Sequence, residues 1–137
     1  MADLDIRWIQ RFSNFKRTFL LLEKALEIKS PSLVERAGLI QFFEMAFELS
    51  WKLLKDYEEM EGFTVKTPRE ALKQAFQAEI ITQGQDWIEA LQDRNLMART
   101  YNEKTAIAVE ERIRYKYFPL LKNLYDTFEA KLDQSQP

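Results

Sequence analysis

The chain reads as an all-α protein, an up-and-down bundle of about four to five helices. Three observations predict it. Only three glycines and four prolines punctuate the 137 residues, so long stretches run without a breaker. Between the breaks, apolar residues recur at steps of three and four, the period of one helix face. The breaks that exist read as helix starts and stops: Ser30-Pro31-Ser32, Gly62 and Thr67-Pro68. No internal repeat, linker or low-complexity tract is visible, and residues 1–137 read as a single helical domain.

The first helix is predicted from about Leu4 to Lys29. Trp8, Phe12, Phe15, Phe19, Leu22 and Leu26 form a heptad-like seam, with Arg11, Asn14, Lys24 and Glu27 on the opposite face. Pro31 disfavours a helical Ser30 and ends it. The second helix is predicted from about Pro31 to Glu61. Ser32 with Glu35 has capping-box spacing, while Ser30 with Pro31 offers an alternative start. It carries two adjacent apolar stripes: Leu39, Phe42, Ala46, Leu49 and Leu53 beside Ile40, Phe43, Phe47, Trp51 and Leu54. A face that wide places the helix either at the centre of the bundle or between two protomers. Gly38 either permits a close helix approach or is incidental. Gly62 suits a left-handed cap.

Thr67-Pro68-Arg69-Glu70 starts a short third helix, to about Glu79, that buries Ala71, Leu72, Ala75 and Phe76. It interrupts a simple up-down order. A fourth helix starts near Asp86, buries Trp87, Ile88 and Leu91, and delivers the chain to Arg94. Thr100-Tyr101-Asn102 reads as a break with Asn102 as the next cap. The last helix is predicted from about Glu103 to Leu132 along Ala106, Val109, Ile113, Tyr117, Leu120, Leu124 and Phe128, kinked at Pro119. Glu110, Glu111, Arg112, Arg114 and Lys116 read as solvated mixed charge, and the tail from Asp133 to Pro137 as frayed.

Composition excludes several chemistries. There is no cysteine and no histidine, so a thiolate nucleophile, a Ser-His-Asp triad and a zinc-hydrolase motif are out of reach. The net charge of −2 argues against nucleic-acid binding by bulk charge and leaves room for a local basic patch. No secretory signal reads at Met-Ala-Asp-Leu-Asp, and no apolar run is long enough for a bilayer. The expectations are a cytoplasmic location, no membrane partner, no permanently bound cofactor and no metal site.

The densest chemistry lies from Asp93 to Tyr101, Asp-Arg-Asn-Leu-Met-Ala-Arg-Thr-Tyr. On a helix Arg94 and Ala98 share a face, and Asn95 and Arg99 share the next. Arginine offers planar, bidentate donors to phosphate or carboxylate, so Arg94, Asn95 and Arg99 suit an anionic ligand. The same residues also suit a solvated helix end, or ion pairs with Asp93, Glu44 or Glu48. Glu44 and Glu48, one turn apart on the second helix, either line a polar cleft, pair with these arginines, or solvate the helix edge.

Three blocks carry a family resemblance over nearly the whole chain. They are Phe47-Glu48-Leu49-Ser50-Trp51-Lys52-Leu53-Leu54-Lys55-Asp56-Tyr57, then Thr67 to Phe76, then Asp93-Arg94-Asn95 through Thr100-Tyr101-Asn102-Glu103. In this order they resemble the small bacterial and archaeal HEPN-fold proteins known as nucleotidyltransferase substrate-binding, or HepT-like, proteins. The resemblance implies a helical bundle that forms a homodimer across its long helices. It also implies pairing with a separate minimal nucleotidyltransferase as a toxin–antitoxin or two-subunit system. The family motif is Arg, four residues, His, one residue, Tyr. Arg94 matches its arginine, Asn95 the usual polar neighbour, and Tyr101 the tyrosine that receives AMP in related systems. Arg99 stands at the histidine position.

That departure matters chemically. HEPN ribonucleases resemble metal-independent RNases, in which proton transfer accompanies attack of the 2′-hydroxyl. An arginine stays protonated and is no ordinary general base, although it still binds phosphate. Losing acid–base catalysis costs about 10²–10⁴-fold in rate. The expectation is therefore weak or absent RNase activity with anion binding retained, RNA or a nucleotide being the ligand. Tyr101 either accepts a nucleotidyl group, packs on Met97, or hydrogen-bonds a phosphate. The leading reading is an interaction module for a nucleotidyltransferase; the alternatives are an RNase with Arg94 and Arg99 as catalytic groups, and a purely structural helical protein.

Overall fold

The computed structural model describes residues 3–135. Met1 and Ala2, where the secretory-signal reading begins, and Gln136 and Pro137, the end of the expected fraying tail, lie outside them. The described chain is α1 (Asp3–Ala25), α2 (Leu33–Met60), α3 (Pro68–Gln77), α4 (Gly84–Arg99), α5 (Glu103–Arg112), a π-helical turn (Ile113–Tyr117) and α6 (Phe118–Ser135). The last three form one rod, so the all-α bundle has five helical rods among the described residues.

Local chemistry sets most boundaries. At the start of α2 the Glu35 N–H donates to Ser32 Oγ (3.1 Å) and the Ser32 N–H donates to Glu35 Oε1 (2.9 Å), a complete capping box. Of the two starts the sequence offers, this is the one adopted. α2 ends in a Schellman turn: Phe63 N–H donates to Glu58 O (2.9 Å) and Gly62 N–H to Glu59 O (3.1 Å). Gly62 takes φ +100°, where a side chain is strained. Thr67 caps α3 by accepting from the Glu70 N–H at 3.1 Å, and the Glu70 carboxylate reaches back to the Lys66 N–H at 3.2 Å. Asn102 caps α5 by accepting from the Thr105 N–H at 3.0 Å.

Three expectations need correction. α1 stops at Ala25, short of Lys29. Arg114, from the distant last rod, donates to the carbonyls of Leu26 (2.8 Å) and Ile28 (2.6 Å), satisfying the peptide groups of the loop where further helix was expected. Phe76 is 53% exposed, because α3 has only ten residues and its ring lies over the start of α4 instead of the core. A Cβ at Gly84 would meet that ring at 3.0 Å, which explains glycine as the first residue of α4. Pro119 does not interrupt the last rod. The irregularity appears one turn earlier, as the π-helical turn in which the Phe118 N–H reaches the carbonyl of Ile113.

The core follows the seams. Trp8, Phe12, Phe15, Phe19 and Leu22 of α1 are buried, as are Leu39, Ile40, Phe43, Ala46, Phe47, Leu53 and Leu54 of α2. α2 packs against every other rod, which is why it needs two apolar stripes. Phe19 stacks on Phe118 and Tyr125 with ring centroids 5.1 and 4.9 Å apart, and Trp8 meets Phe128 edge-on at 5.6 Å. Each such ring contributes roughly 1.5–3 kcal/mol by burial. No Cβ contact would arise within 4 Å at Gly38, so it serves no close helix approach among the described residues.

Candidate functional site

The polar stretch and α2 meet across an open groove of about 670 Å³. Ile40 and Met97 are buried beneath it, and Glu44, Glu48, Arg94 and Tyr101 contribute its polar lining. The helical repeat brings Glu44 and Glu48 to the same edge of α2, and Arg94 projects towards them from α4. Arg94 Nη2 pairs with Glu48 Oε2, and Arg94 Nη1 donates to Asn95 Oδ1 at 2.9 Å. Of the three readings of Glu48, pairing with an arginine and lining a cleft both hold.

Glu48 also accepts from the Trp51 indole at 3.0 Å and pairs with Lys52 at 3.3 Å. Burial pushes its carboxyl up, but Trp51, Arg94 and Lys52 outweigh burial and hold it below the usual carboxylate range. Glu44 goes the other way. Burial raises it, Arg94 pulls it back only in part, and its Oε1 has no hydrogen-bond partner among the described residues. Two carboxyls one turn apart are thus shifted in opposite directions.

α4 ends at Arg99, and Thr100 takes an extended conformation that carries Tyr101 to the groove's rim. Tyr101 is 43% exposed. Burial and then the Glu103 charge push its phenol above the ordinary value, so the hydroxyl is neutral near pH 7. Arg99 does not line the groove. It is exposed, and its Nε donates to the Asn95 carbonyl at 3.4 Å.

Asp93 turns away from the groove. It is buried, accepts from Arg112 Nε (2.7 Å) and Nη2 (3.1 Å), and receives the Tyr117 hydroxyl. This clasp fixes α4 on the last rod, so Asp93 positions the neighbouring Arg94 and does not pair with it. Tyr117 is fully buried; burial, then the Asp93 hydrogen bond, pushes its phenol far up.

A second polar network is not legible as such in the sequence. Arg36 of α2 pairs with Glu103 and donates through Nε to Glu110 at 2.7 Å, and Glu110 accepts from Arg114 at 2.8 Å. Glu110 is buried, contrary to its reading as a solvated charge: it carries two arginines between α2, α5 and the π turn. The only sequence hint is the four-residue spacing of Glu110 and Arg114. This network holds the start of α5, directly after Tyr101, against α2.

The family described as nucleotidyltransferase substrate binding protein like matches residues 10–130. The chain belongs to this family. The resemblance to nucleotidyltransferase substrate-binding proteins read from the motif blocks agrees with this match. Three solved structures are similar to this family member. A protein of Thermus thermophilus has 29% identity over 80% of this chain and 94% of its own, with a TM-score of 0.74. The tri-AMPylated HEPN toxin of Shewanella oneidensis, solved in complex with MNT antitoxin, superposes with a TM-score of 0.75 at 14% identity over 95% and 99% of the two chains. HI0074 of Haemophilus influenzae, which revealed the fold of a substrate-binding domain of a nucleotidyltransferase, superposes at 0.65 with 22% identity over 93% and 99%. At those identities the last two establish the shared fold. No curated protein matches the chain. Among the described residues no helix is long and apolar enough to cross a membrane, and no cluster of three or more acidic side chains is arranged to hold a metal ion.

Proposed function

We propose that this chain is the helical subunit of a two-protein system with a separate minimal nucleotidyltransferase, to which it presents the α2–α4 groove. Tyr101 is the acceptor of a nucleotidyl group. The observation that carries the reading is the position of Tyr101: at the family tyrosine's place in the motif, solvent-accessible, on the rim of a groove that holds Arg94. In the transfer, the Tyr101 oxygen attacks the α-phosphorus of a nucleoside triphosphate. The bond to pyrophosphate breaks, and the phenolic proton leaves to a base. Arg94 suits the role of holding a phosphate, with Asn95 fixing one edge of its guanidinium. The Shewanella toxin, which shares the fold, is itself AMPylated and bound to an antitoxin, and this favours the same relation here.

RNase activity is weak or absent in this reading. Arg99, at the family histidine's place, is outside the groove lining, and an arginine there is no ordinary general base. Homodimerisation is supported by apolar side chains left in solvent on α1 and the start of α2, among them Leu20, Leu21, Leu33 and Val34.

The test is co-expression with a minimal nucleotidyltransferase from the same genome, purification with ATP, and intact-mass measurement. One or more adenylyl units are expected on the native chain, and one fewer on Tyr101→Phe. An adduct of unchanged size on Tyr101→Phe refutes the acceptor assignment. Failure of the two proteins to co-purify refutes the pairing.

A further inference from the structure

About 20 Å along α2 from Glu44, at 1.5 Å per residue, a second cavity opens beside the C-terminal end of the helix. It encloses about 300 Å³ between α2, α3 and α6. Glu58 belongs to its lining. This residue is 1% exposed, and neither carboxyl oxygen has a hydrogen-bond partner among the described residues. A buried carboxyl without a partner is costly, and every other buried carboxylate among the described residues is clasped by an arginine. We propose that this cavity is a binding site for a small organic cation, a protonated amine or guanidinium, whose N–H groups supply the partners Glu58 lacks.

The surrounding groups select for that class. Tyr57 and Phe63 offer aromatic faces, and Gln74 of α3 adds an amide. The Tyr57 ring already attracts an ammonium: Lys131 of α6 lies 4.7 Å from its centroid and donates to its hydroxyl at 3.2 Å. Lys131 is thereby held at Tyr57 and makes no bond to Glu58. Glu61 adds negative charge at the mouth, while the neighbouring Glu59 is matched by Arg7 (3.3 Å) and Lys55 (3.2 Å). An anion would meet Glu58 and Glu61, and an apolar ligand would leave Glu58 as unpaired as before.

Burial, and then the Glu59 charge, pushes the Glu58 carboxyl up to about 8. Near pH 7 it holds a proton. Entry of a cation reverses the preference: the carboxyl O–H breaks, the proton leaves to solvent, and the carboxylate pairs with the incoming ammonium or guanidinium. Binding is therefore accompanied by release of about one proton per site.

Isothermal titration of the full chain with agmatine and with putrescine, at pH 7 in buffers of different ionisation enthalpy, tests this. The expected result is saturable binding with release of close to one proton, weakened on the order of tenfold or more in Glu58→Gln. Lys131→Met, which removes the resident cation, is expected to bind more tightly. Arg94→Ala is expected to bind like the native chain, since it belongs to the other groove. Circular dichroism and melting confirm that the variants fold, and Glu58→Met serves where Glu58→Gln does not. No saturable heat with either amine overturns the proposal. Binding without proton release overturns it on the unaltered protein, and so does full affinity in a Glu58 variant.

Discussion

Asp93→Ala is the sharpest test of how the groove is held. In the folded chain Asp93 takes two hydrogen bonds from Arg112 and one from Tyr117, whose hydroxyl lies in a fully buried ring. Removing the carboxylate strands that hydroxyl, at a cost of about 1–3 kcal/mol. Arg112 is 36% exposed in its side chain and stays partly hydrated, so the lost ion pair adds only about 1 kcal/mol. The expected loss is about 2–4 kcal/mol. At about 4 °C per kcal/mol for a chain of this size, the melting temperature falls by roughly 8–16 °C. Urea denaturation and thermal melts of Asp93→Ala, Tyr117→Phe and the double variant measure it. Because Tyr117→Phe deletes the stranded hydroxyl, the double variant loses less than the sum of the singles, by about 1–2 kcal/mol. A loss below about 1 kcal/mol in Asp93→Ala, or an additive cycle, would show that the clasp does not anchor α4.

Glu48→Gln removes the charge partner of Arg94 and leaves Trp51 an acceptor. AMP binding, followed by titration, is expected to tighten about fivefold, as for release of a part-exposed pair worth roughly 1 kcal/mol; unchanged or weaker binding counts against phosphate recognition by Arg94. Glu58 makes stability fall with rising pH. Its folded carboxyl, pushed to about 8 from an ordinary 4.5, keeps a proton that the unfolded chain loses, so stability present at the acid end is lost progressively as pH rises between those values. The native chain should thus lose on the order of several kcal/mol more than Glu58→Gln between about pH 5 and 8.5, measured by urea denaturation. Parallel profiles for the two would refute a buried protonated carboxyl.

The helices are legible in the sequence because their signals are local. Ser32 with Glu35, Thr67 before Pro68, Gly62 and Asn102 each act within about one turn, and the seams of α1 and α2 repeat often enough to reveal the buried face. The pairing of Glu48 with Arg94 is one of several options there, since helical spacing puts each on a known edge. The network of Arg36, Glu103, Glu110 and Arg114 is hidden for the opposite reason. It joins residues more than sixty positions apart, and on their own helices these charges look like any solvated face. Asp93 lies in the motif and reads as part of it; its inward turn depends on where Tyr117 and Arg112 come to rest. Glu58, in a run of Tyr, two Glu and Met near a helix end, has no local mark of burial. Only the closure of α3 and α6 over it takes it from water.

The π-helical turn at Ile113–Tyr117 has a bearing on which length changes the last rod tolerates. An α-helix advances about 100° per residue, and a π turn holds one residue more than an α turn spanning the same rise. Ala106 and Val109 before it and Leu120, Leu124 and Phe128 after it all reach the core, so the surplus residue is absorbed within the turn and both flanks keep their buried side. Deleting one residue inside the π turn would restore α-helical winding and leave both flanks in phase, whereas a deletion between the turn and Leu124, with the turn kept, would swing the buried side of α6 by about 100° towards solvent. The rod is thus phased like a screw with one thread shimmed: a single-residue deletion is absorbed where the shim sits, whereas one between the turn and Leu124 unseats Leu124, Phe128 and their aromatic neighbours together.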